Sequence, residues 1–359
     1  MNNKRVTILV PAHNEATVIG QTLTTLLPQL NSQDSIVVVA DNCTDRTAII
    51  AREFGVTVIE RQDPDRIGKG YALDYGLRFL EENPPSVVVI VDADCIVHEG
   101  TIERLTQMAL TSGRPVQATY LQSPPTNSNP KNTISALAIL VKNLVRQKGL
   151  ARMGLPCLLY GTGMAFPWSV IRTAPLASGN LVEDMQLGID LALAGYPPIF
   201  CSEAKVTGIL PQQEQAVKTQ RTRWEHGHLQ TLFAQVPRLI KASIHQKRFE
   251  LFTLALELSV PPLSLLVMLW GVAMGAALIV GILGGAWNPA LILAIAGLLI
   301  FISILGAWAK FGRANISGLV LLTIPFYILW KIPLYFAFLV KPQTKWIRTK
   351  RDIFPAAES

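Results

Sequence analysis

The chain has 359 residues, of which 50% are hydrophobic and 16% charged, and it carries a formal net charge of +7. A mean hydropathy of +0.34 is too apolar for an ordinary soluble domain. The acids crowd into residues 1–250, whereas the bases concentrate in 205–250 and at the end, on either side of a long apolar stretch. Anionic lipid headgroups, and no nucleic acid, are therefore the expected polyanion.

Val6-Thr-Ile-Leu-Val10, closed by Pro11, predicts a first strand, and residues 14–30, with Ile19, Leu23, Leu26 and Leu27, predict a helix. Ser35–Ala40, Val56–Ile59 and Val87–Val91 predict three more strands, with helices over Asp45–Phe54 and Lys69–Leu80 between them. Strands apolar on both faces alternating with helices imply an α/β domain with a doubly wound parallel sheet, here residues 1–232. Ligands of such sheets bind beyond the carboxyl ends of the strands. The polar residues gather there: His13, Asn14 and Glu15 after the first strand, Asp41, Asn42, Thr44 and Asp45 after the second, Asp92 and Asp94 after the fourth.

Asp92-Ala-Asp94 is the most informative group. Residues two apart in a strand point the same way, so both carboxylates can meet one hard divalent cation, Mg²⁺ or Mn²⁺. A turn or helix cap is the competing use of such a pair. The first strand-helix turn, Pro11-Ala-His-Asn-Glu-Ala16, lacks the Gly-x-Gly-x-x-Gly signature and no P-loop is present, which argues against a dehydrogenase or a P-loop enzyme. Cys43, Cys95, Cys157 and Cys201 have no paired spacing, so they are read as packing residues in a reducing compartment, with no zinc site.

Glu183-Asp184 opens a helix-like stretch, where first-turn acids also complement the helix dipole. Gln220, Arg223 and Trp224, at i, i+3 and i+4, share one helix face, which suits either a ligand or a membrane surface. His226 and His228 match no metal-ligand spacing and are expected at the surface or in a cap. Residues 233–257 mix Arg238, Lys241, Lys247 and Arg248 with Leu239, Ile240 and Phe249, as an interfacial amphipathic helix does. The region 258–340 follows, with uncharged spans expected at Leu258–Leu283 and Pro289–Ala309. A third block, 316–340, contains Pro325, Lys331 and Pro333 and fits a kinked span, a re-entrant segment or an interfacial helix.

The tail, 341–359, carries Lys341, Lys345, Arg348, Lys350 and Arg351, which the positive-inside rule places in the cytoplasm beside Trp346 at the headgroups. Met1–Arg5 precedes only a short apolar run, neither a signal peptide nor a span. The large domain is then cytoplasmic as well, so block 316–340 is expected to enter and leave on the same face or lie along it. The expected location is the cell membrane, with several membrane segments.

In chain order, Val10-Pro-Ala-His-Asn-Glu15, Asp41-Asn-Cys-Thr-Asp45, Gly68-Lys-Gly70, Asp92-Ala-Asp94, Glu183-Asp184 and Gln220-Arg-Thr-Arg-Trp224 together resemble the inverting glycosyltransferases of family 2. The resemblance spans residue 6 to about 228. It implies a GT-A fold and, as in the membrane-bound branch that includes polysaccharide synthases, C-terminal transmembrane helices. It further implies that Pro11, Glu15 and Asp41 hold the nucleoside of a UDP-sugar and that Lys69 and Asp92 line the nucleotide pocket. Asp94 would bind the metal, Asp184 beside Glu183 would act as the base, and Gln220, Arg223 and Trp224 would lie over the donor diphosphate and acceptor sugar. Tyr160-Gly-Thr-Gly163 resembles the acceptor-side wall. The implied reaction adds a sugar to a growing polysaccharide or a lipid-linked saccharide. A single-sugar glycolipid synthase acting on a lipid such as ceramide, a non-catalytic partner subunit of a polysaccharide export complex, and a nucleotidyltransferase that releases pyrophosphate are the alternatives.

Overall fold

The computed structural model describes residues 5–123, 129–177, 181–210, 214–314, 316–341 and 343. The chain begins as strands alternating with helices: β1 (Val6–Ala12), α1 (Ile19–Leu26), β2 (Ser35–Asp41), α2 (Thr47–Glu53), β3 (Thr57–Arg61), α3 (Lys69–Leu80) and β4 (Val87–Ile90). These four strands pair in parallel. There follow β5 (Cys95–Val97), α4 (Thr101–Ser112), β6 (Val116–Ser123), α5 (Pro130–Leu140), α6 (Gln147–Arg152), β7 (Met164–Pro167), α7 (Trp168–Ile171), α8 (Glu183–Leu193) and β8 (Ile199–Ile209). A π-helical turn, Val141–Arg146, joins α5 to α6.

The eight strands form one sheet in the order β3-β2-β1-β4-β7-β6-β8-β5. β7 runs antiparallel to β4 and β6, and β5 antiparallel to β8, so the sheet is mixed where an all-parallel one was expected. Burial on both faces makes a strand apolar whichever way its neighbour runs. Successive β1 residues alternate between two cores: Ile8 and Val10 pack with Ile19, Leu23 and Leu105 on one face, and Leu9 with Leu73, Leu77 and Phe166 on the other. Gly76 brings α3 close to that second face, because a Cβ there would lie 2.6 Å from Leu9 Cδ1. This contact fixes the first residue of α3, Lys69.

The helix expected over 14–30 starts only at Ile19. Residues 14–18 form a turn in which Asn14 takes φ 55° and the Glu15 carbonyl accepts from the N–H groups of Val18 and Ile19. The Asp92/Asp94 pair likewise sits in the turn between β4 and β5, so strand alternation is not what brings the two carboxylates together.

At the C-terminal side, α9 (Glu214–Gln246) is one continuous helix, and the expected boundary between residues 232 and 233 falls inside it. α10 (Phe249–Ser259) folds back on α9. Leu239, Leu251, Leu254 and Leu258 are buried against Tyr160 and Met185, while Phe233, Ile244 and Phe249 remain exposed. Residues 233–257 are therefore a helical hairpin packed on the α/β domain, not a separate interfacial helix. The next two helices, α11 (Leu263–Ile282) and α12 (Asn288–Ala307, extended by a π-turn to Gly312), are long and apolar enough to cross a membrane. The first begins at Leu263 and not at Leu258, since Pro261 and Pro262 separate it from α10.

Block 316–340 divides into α13 (Gly318–Leu321) and α14 (Ile324–Val340). Pro325 occupies the first turn of α14, where a missing N–H costs nothing, so only Pro333 interrupts the helix. Lys331 is buried and pairs with Glu225 of α9, and His226 Nε2 lies 3.0 Å from the Leu334 carbonyl. Both histidines are buried, in contrast to the expected surface role: His226 ties α9 to α14, and His228 lies 3.3 Å from the Leu258 carbonyl. Lys345, Trp346, Arg348, Lys350 and Arg351 lie outside the described residues.

Breaking one partner of a buried ion pair leaves an uncompensated charge. Glu225→Ala should lower stability by on the order of 3 kcal/mol, whereas Glu225→Leu with Lys331→Met should recover most of it. Thermal unfolding of the two variants in detergent gives the comparison, and equal losses in both would show that the pair does not anchor α14.

Candidate active site

All eleven residues singled out from sequence, Pro11, Glu15, Asp41, Lys69, Asp92, Asp94, Glu183, Asp184, Gln220, Arg223 and Trp224, line a single cleft beyond the carboxyl ends of β1, β2 and β4. These eleven residues come from six separated segments of the chain.

Lys69 is its centre. Gly68, with φ 145°, turns the chain into α3, and the Lys69 ammonium donates to Asp92 Oδ1 and, at 2.7 Å, to the Gly161 carbonyl, with Glu183 Oε1 3.9 Å away. A cation at a helix N-terminus opposes the helix dipole, so these acceptors are what hold it there. Burial acts to lower its pKa, but the charges of Asp92, Glu183 and Asp184 outweigh that and raise it. The same burial raises the pKa of both acids. Glu183 is pushed up to about 7, partly offset by Lys69, and Asp184 is raised as well.

On the metal side, one ligand atom from each of Asp92, Asp94 and Cys95 lies within 4.8 Å of the others. Cys95, read from sequence as incidental packing, points its thiol at Asp94 Oδ1 at 3.6 Å. Burial, followed by the charges of Asp94 and Asp92, raises its pKa well above the ordinary thiol value. It is a thiol donor beside two carboxylates, and the hard oxygens are the donors that suit Mg²⁺ or Mn²⁺.

Asp41 is buried and salt-bridged to Arg61 Nη1 at 2.6 Å, and Asn42 also donates to its Oδ1. Arg61, a residue not anticipated, stands opposite Asp41 in the parallel register of β2 and β3, then reaches Asp63 at 2.9 Å and the Tyr71 ring. Asp45 makes an Asx-turn, accepting from the Thr47 N–H at 2.9 Å, and also receives the Ala16 N–H. Glu15 is held by its own N–H on Thr47 Oγ1, 2.8 Å away.

The turn at 160–163 carries more than its glycines. Thr162 is fully buried, accepts the Asp92 N–H at 3.1 Å and donates to Cys95 Sγ, while Gln117 binds both the Tyr160 N–H and the Thr162 carbonyl. A Cβ on Gly161 would lie 3.3 Å from Asp184 Oδ2. Tyr160 of that turn lines the cleft; Tyr120 and Lys142 line it too and were not anticipated, each being distant in sequence from any motif. Across the cleft, Gln220, Arg223 and Trp224 come from one face of α9, and Gly227 on that face lets the helix approach Val182, where a Cβ would meet Cγ1 at 2.9 Å.

A family model described as glycosyltransferase like family 2 matches residues 3–227. The chain belongs to this family. Among curated proteins, the probable glycosyltransferase YdaM of Bacillus subtilis is 27% identical over 265 residues, covering 69% of this chain and 61% of that protein. The 4,4'-diaponeurosporenoate glycosyltransferase of Staphylococcus aureus is 41% identical over 94 residues, which cover 26% of this chain and 24% of its own. The chain thus spans less than two thirds of the length of either relative. Among solved structures, the mannosyltransferase PcManGT from Pyrobaculum calidifontis, in complex with GDP-Man and Mn²⁺, superposes with a TM-score of 0.50 at 18% identity over 91% of this chain and 87% of its own. That likeness establishes the GT-A-like fold of this family 2 member.

The raised Glu183 pKa has a sign that can be measured. A carboxyl whose folded pKa, about 7, exceeds its ordinary 4.5 binds more protons when folded, so stability present below pH 4.5 is lost as pH rises through about 7. Glu183→Gln should therefore stabilise the metal-free protein at pH 8 by on the order of 2 kcal/mol and leave it nearly unchanged at pH 4. Melting curves at the two pH values measure this; equal shifts at both would assign Glu183 an ordinary pKa.

Proposed function

We propose that the protein is a membrane-anchored inverting glycosyltransferase that moves a sugar from a UDP-sugar to a growing polysaccharide or a lipid-linked saccharide. The observation that carries this reading is the convergence of all eleven residues on one cleft, with Lys69 joining Asp92 to the Glu183-Asp184 pair. In this reading Pro11, Glu15 and Asp41 receive the uridine. Arg61 and Asn42 both bond to Asp41 Oδ1, which leaves Oδ2 for a ribose hydroxyl or the base N–H. Arg223 supplies positive charge to the diphosphate, Gln220 a polar contact, and Trp224 a stacking surface for the acceptor sugar.

Asp94, together with Asp92, would hold Mg²⁺ or Mn²⁺, which when bound neutralises charge on the departing diphosphate. Asp184 accepts the proton of the acceptor hydroxyl. That oxygen forms its bond to the anomeric carbon as the bond from carbon to the diphosphate oxygen breaks, and UDP leaves with the electron pair. Attack opposite the leaving group inverts the anomeric centre. Burial, which raises the Asp184 pKa, makes it a stronger base than an ordinary aspartate, while the Lys69 charge acts the other way and favours its ionised form. α11 and α12 are read as membrane spans that hold the cleft at the cytoplasmic face of the plasma membrane.

Purified protein with membrane lipids and a panel of UDP-sugars should release UDP from one of them and no pyrophosphate; pyrophosphate from a nucleoside triphosphate would replace this reading with a nucleotidyltransferase. Asp184→Asn should slow transfer by about 10²-fold or more while UDP still binds. Wild-type turnover in that variant would remove Asp184 from the role of base. Asp94→Ala should abolish the strengthening of UDP binding by Mn²⁺ seen in calorimetry, and an unaltered metal effect would return Asp94 to turn capping.

A further inference from the structure

Asp94 stands at the end of a chain of hydrogen bonds whose direction is fixed from both ends. The Asp92 N–H, which can only donate, gives its hydrogen to Thr162 Oγ1 at 3.1 Å, and the Thr162 hydroxyl donates its own to Cys95 Sγ at 3.6 Å. Cys95 Sγ in turn lies 3.6 Å from Asp94 Oδ1. An ionised carboxylate can only accept, so the thiol keeps its proton and donates it there. Every link then has one donor and one acceptor. A thiolate at Cys95 would leave the last link without a proton.

The middle of the chain is sealed from solvent, Thr162 being 0% and Cys95 1% exposed. Both residues are held by the fold. Gly161 and Gly163 flank Thr162 with φ of 86° and 63°, and a Cβ on Gly163 would lie 2.8 Å from Val206 Cγ2. Gln117 donates to the Thr162 carbonyl at 2.9 Å, and Cys95 opens β5 opposite Gly208 of β8. The same turn binds the Lys69 ammonium through the Gly161 carbonyl, and Lys69 also donates to Asp92 Oδ1. One turn therefore orients both carboxylates, Asp92 through Lys69 and Asp94 through Cys95. The last torsion of an aspartate is intrinsically broad, so an orientation that matters has to be imposed by such a bond.

We propose that Thr162 and Cys95 are positioning residues for the cation site: the thiol, held by the Thr162 hydroxyl, sets the Asp94 carboxylate to receive Mg²⁺ or Mn²⁺, and the sulfur is not itself a ligand. The proposal rests on the metal assignment in the transferase reading above and names the groups that prepare that site. Sulfur in the ligand set would draw softer ions, whereas carboxylate oxygens alone keep the preference for hard ones. Removing the hydrogen-bond partner of a ligating group changes metal affinity by about ten- to a hundredfold, and a thiol is a weak donor, which sets the expectation at the lower figure.

The test is calorimetric titration of the full chain in nonionic detergent with UDP, in Mn²⁺ and in a chelator. Cys95→Ala should cut the strengthening of UDP binding by Mn²⁺ about tenfold, whereas Cys95→Ser, which keeps a donor, should retain most of it. Thr162→Val should lose at least as much as Cys95→Ala, because it also strips the acceptor from the Asp92 N–H, and Thr162→Ser should behave as wild type. UDP affinity in chelator should be alike in all five proteins. An undiminished metal effect in Cys95→Ala overturns the proposal. So does a loss in Cys95→Ser as large as in Cys95→Ala, which would make the sulfur a packing group. With Co²⁺ in place of Mn²⁺, a sulfur-to-cobalt absorption band in wild type that Cys95→Ala removes would make the thiol a ligand and overturn it as well. Wild type that binds UDP but gains nothing from Mn²⁺ removes the metal assignment and this proposal while the donor reading stands; wild type that binds no UDP removes the donor reading itself.

Discussion

The cleft depends on one cation held among acids. Without Lys69, Asp92, Glu183 and Asp184 would face one another in a partly buried space, and like charges so placed repel by several kcal/mol or take up protons. The ammonium also binds the Gly161 carbonyl, so the turn at 160–163, the end of β4 and the start of α8 are tied to one atom. That atom is in turn positioned by the packing of α3 on the sheet, where Gly76 admits Leu9. Sheet packing and site electrostatics are therefore a single constraint.

α9 connects the site to the apolar helices through two faces of the same helix. Gln220, Arg223, Trp224 and Gly227 turn toward the cleft and the segment before Glu183, while Arg221, Glu225 and His228 lie one helical turn apart on another side. Arg221 is buried against the rings of Tyr327 and Trp330, and Glu225 meets Lys331. A shift of α14 would thus move the support of Arg223 and Trp224. A second link runs through α10, whose Glu257 is bound by Arg146 and Gln147 at the π-turn that carries Lys142.

Much of the site was legible because its residues are short-range signals: carboxylates, a lysine after glycine, and an i, i+3, i+4 triplet, each placed where a strand ends or a helix begins. Partners distant in sequence were not legible. Arg61 supports Asp41 only because β2 and β3 pair in the register that sets them opposite each other, and Thr162 supports Asp92 across seventy residues of chain. Lys142 lies inside a largely apolar helical run with no local signal, and only the fold brings it to the cleft. The histidines 226 and 228 misled for the same reason, since burial against α14 and α10 is a long-range property.

By itself the sequence determined the alternation of strands and helices, the location of the ligand crevice, the acids and bases that fill it, and the two apolar helices, because these follow from hydrophobic period and local chemistry. Tertiary structure decided the antiparallel placement of β5 and β7, since a strand buried on both faces reads the same in either direction. It also decided that Asp92 and Asp94 meet on a turn, that α9 runs unbroken past residue 232, and that Lys331 is neutralised by Glu225. Each of these turns on which surface meets which across many residues, and that is a matter of packing that no local pattern encodes.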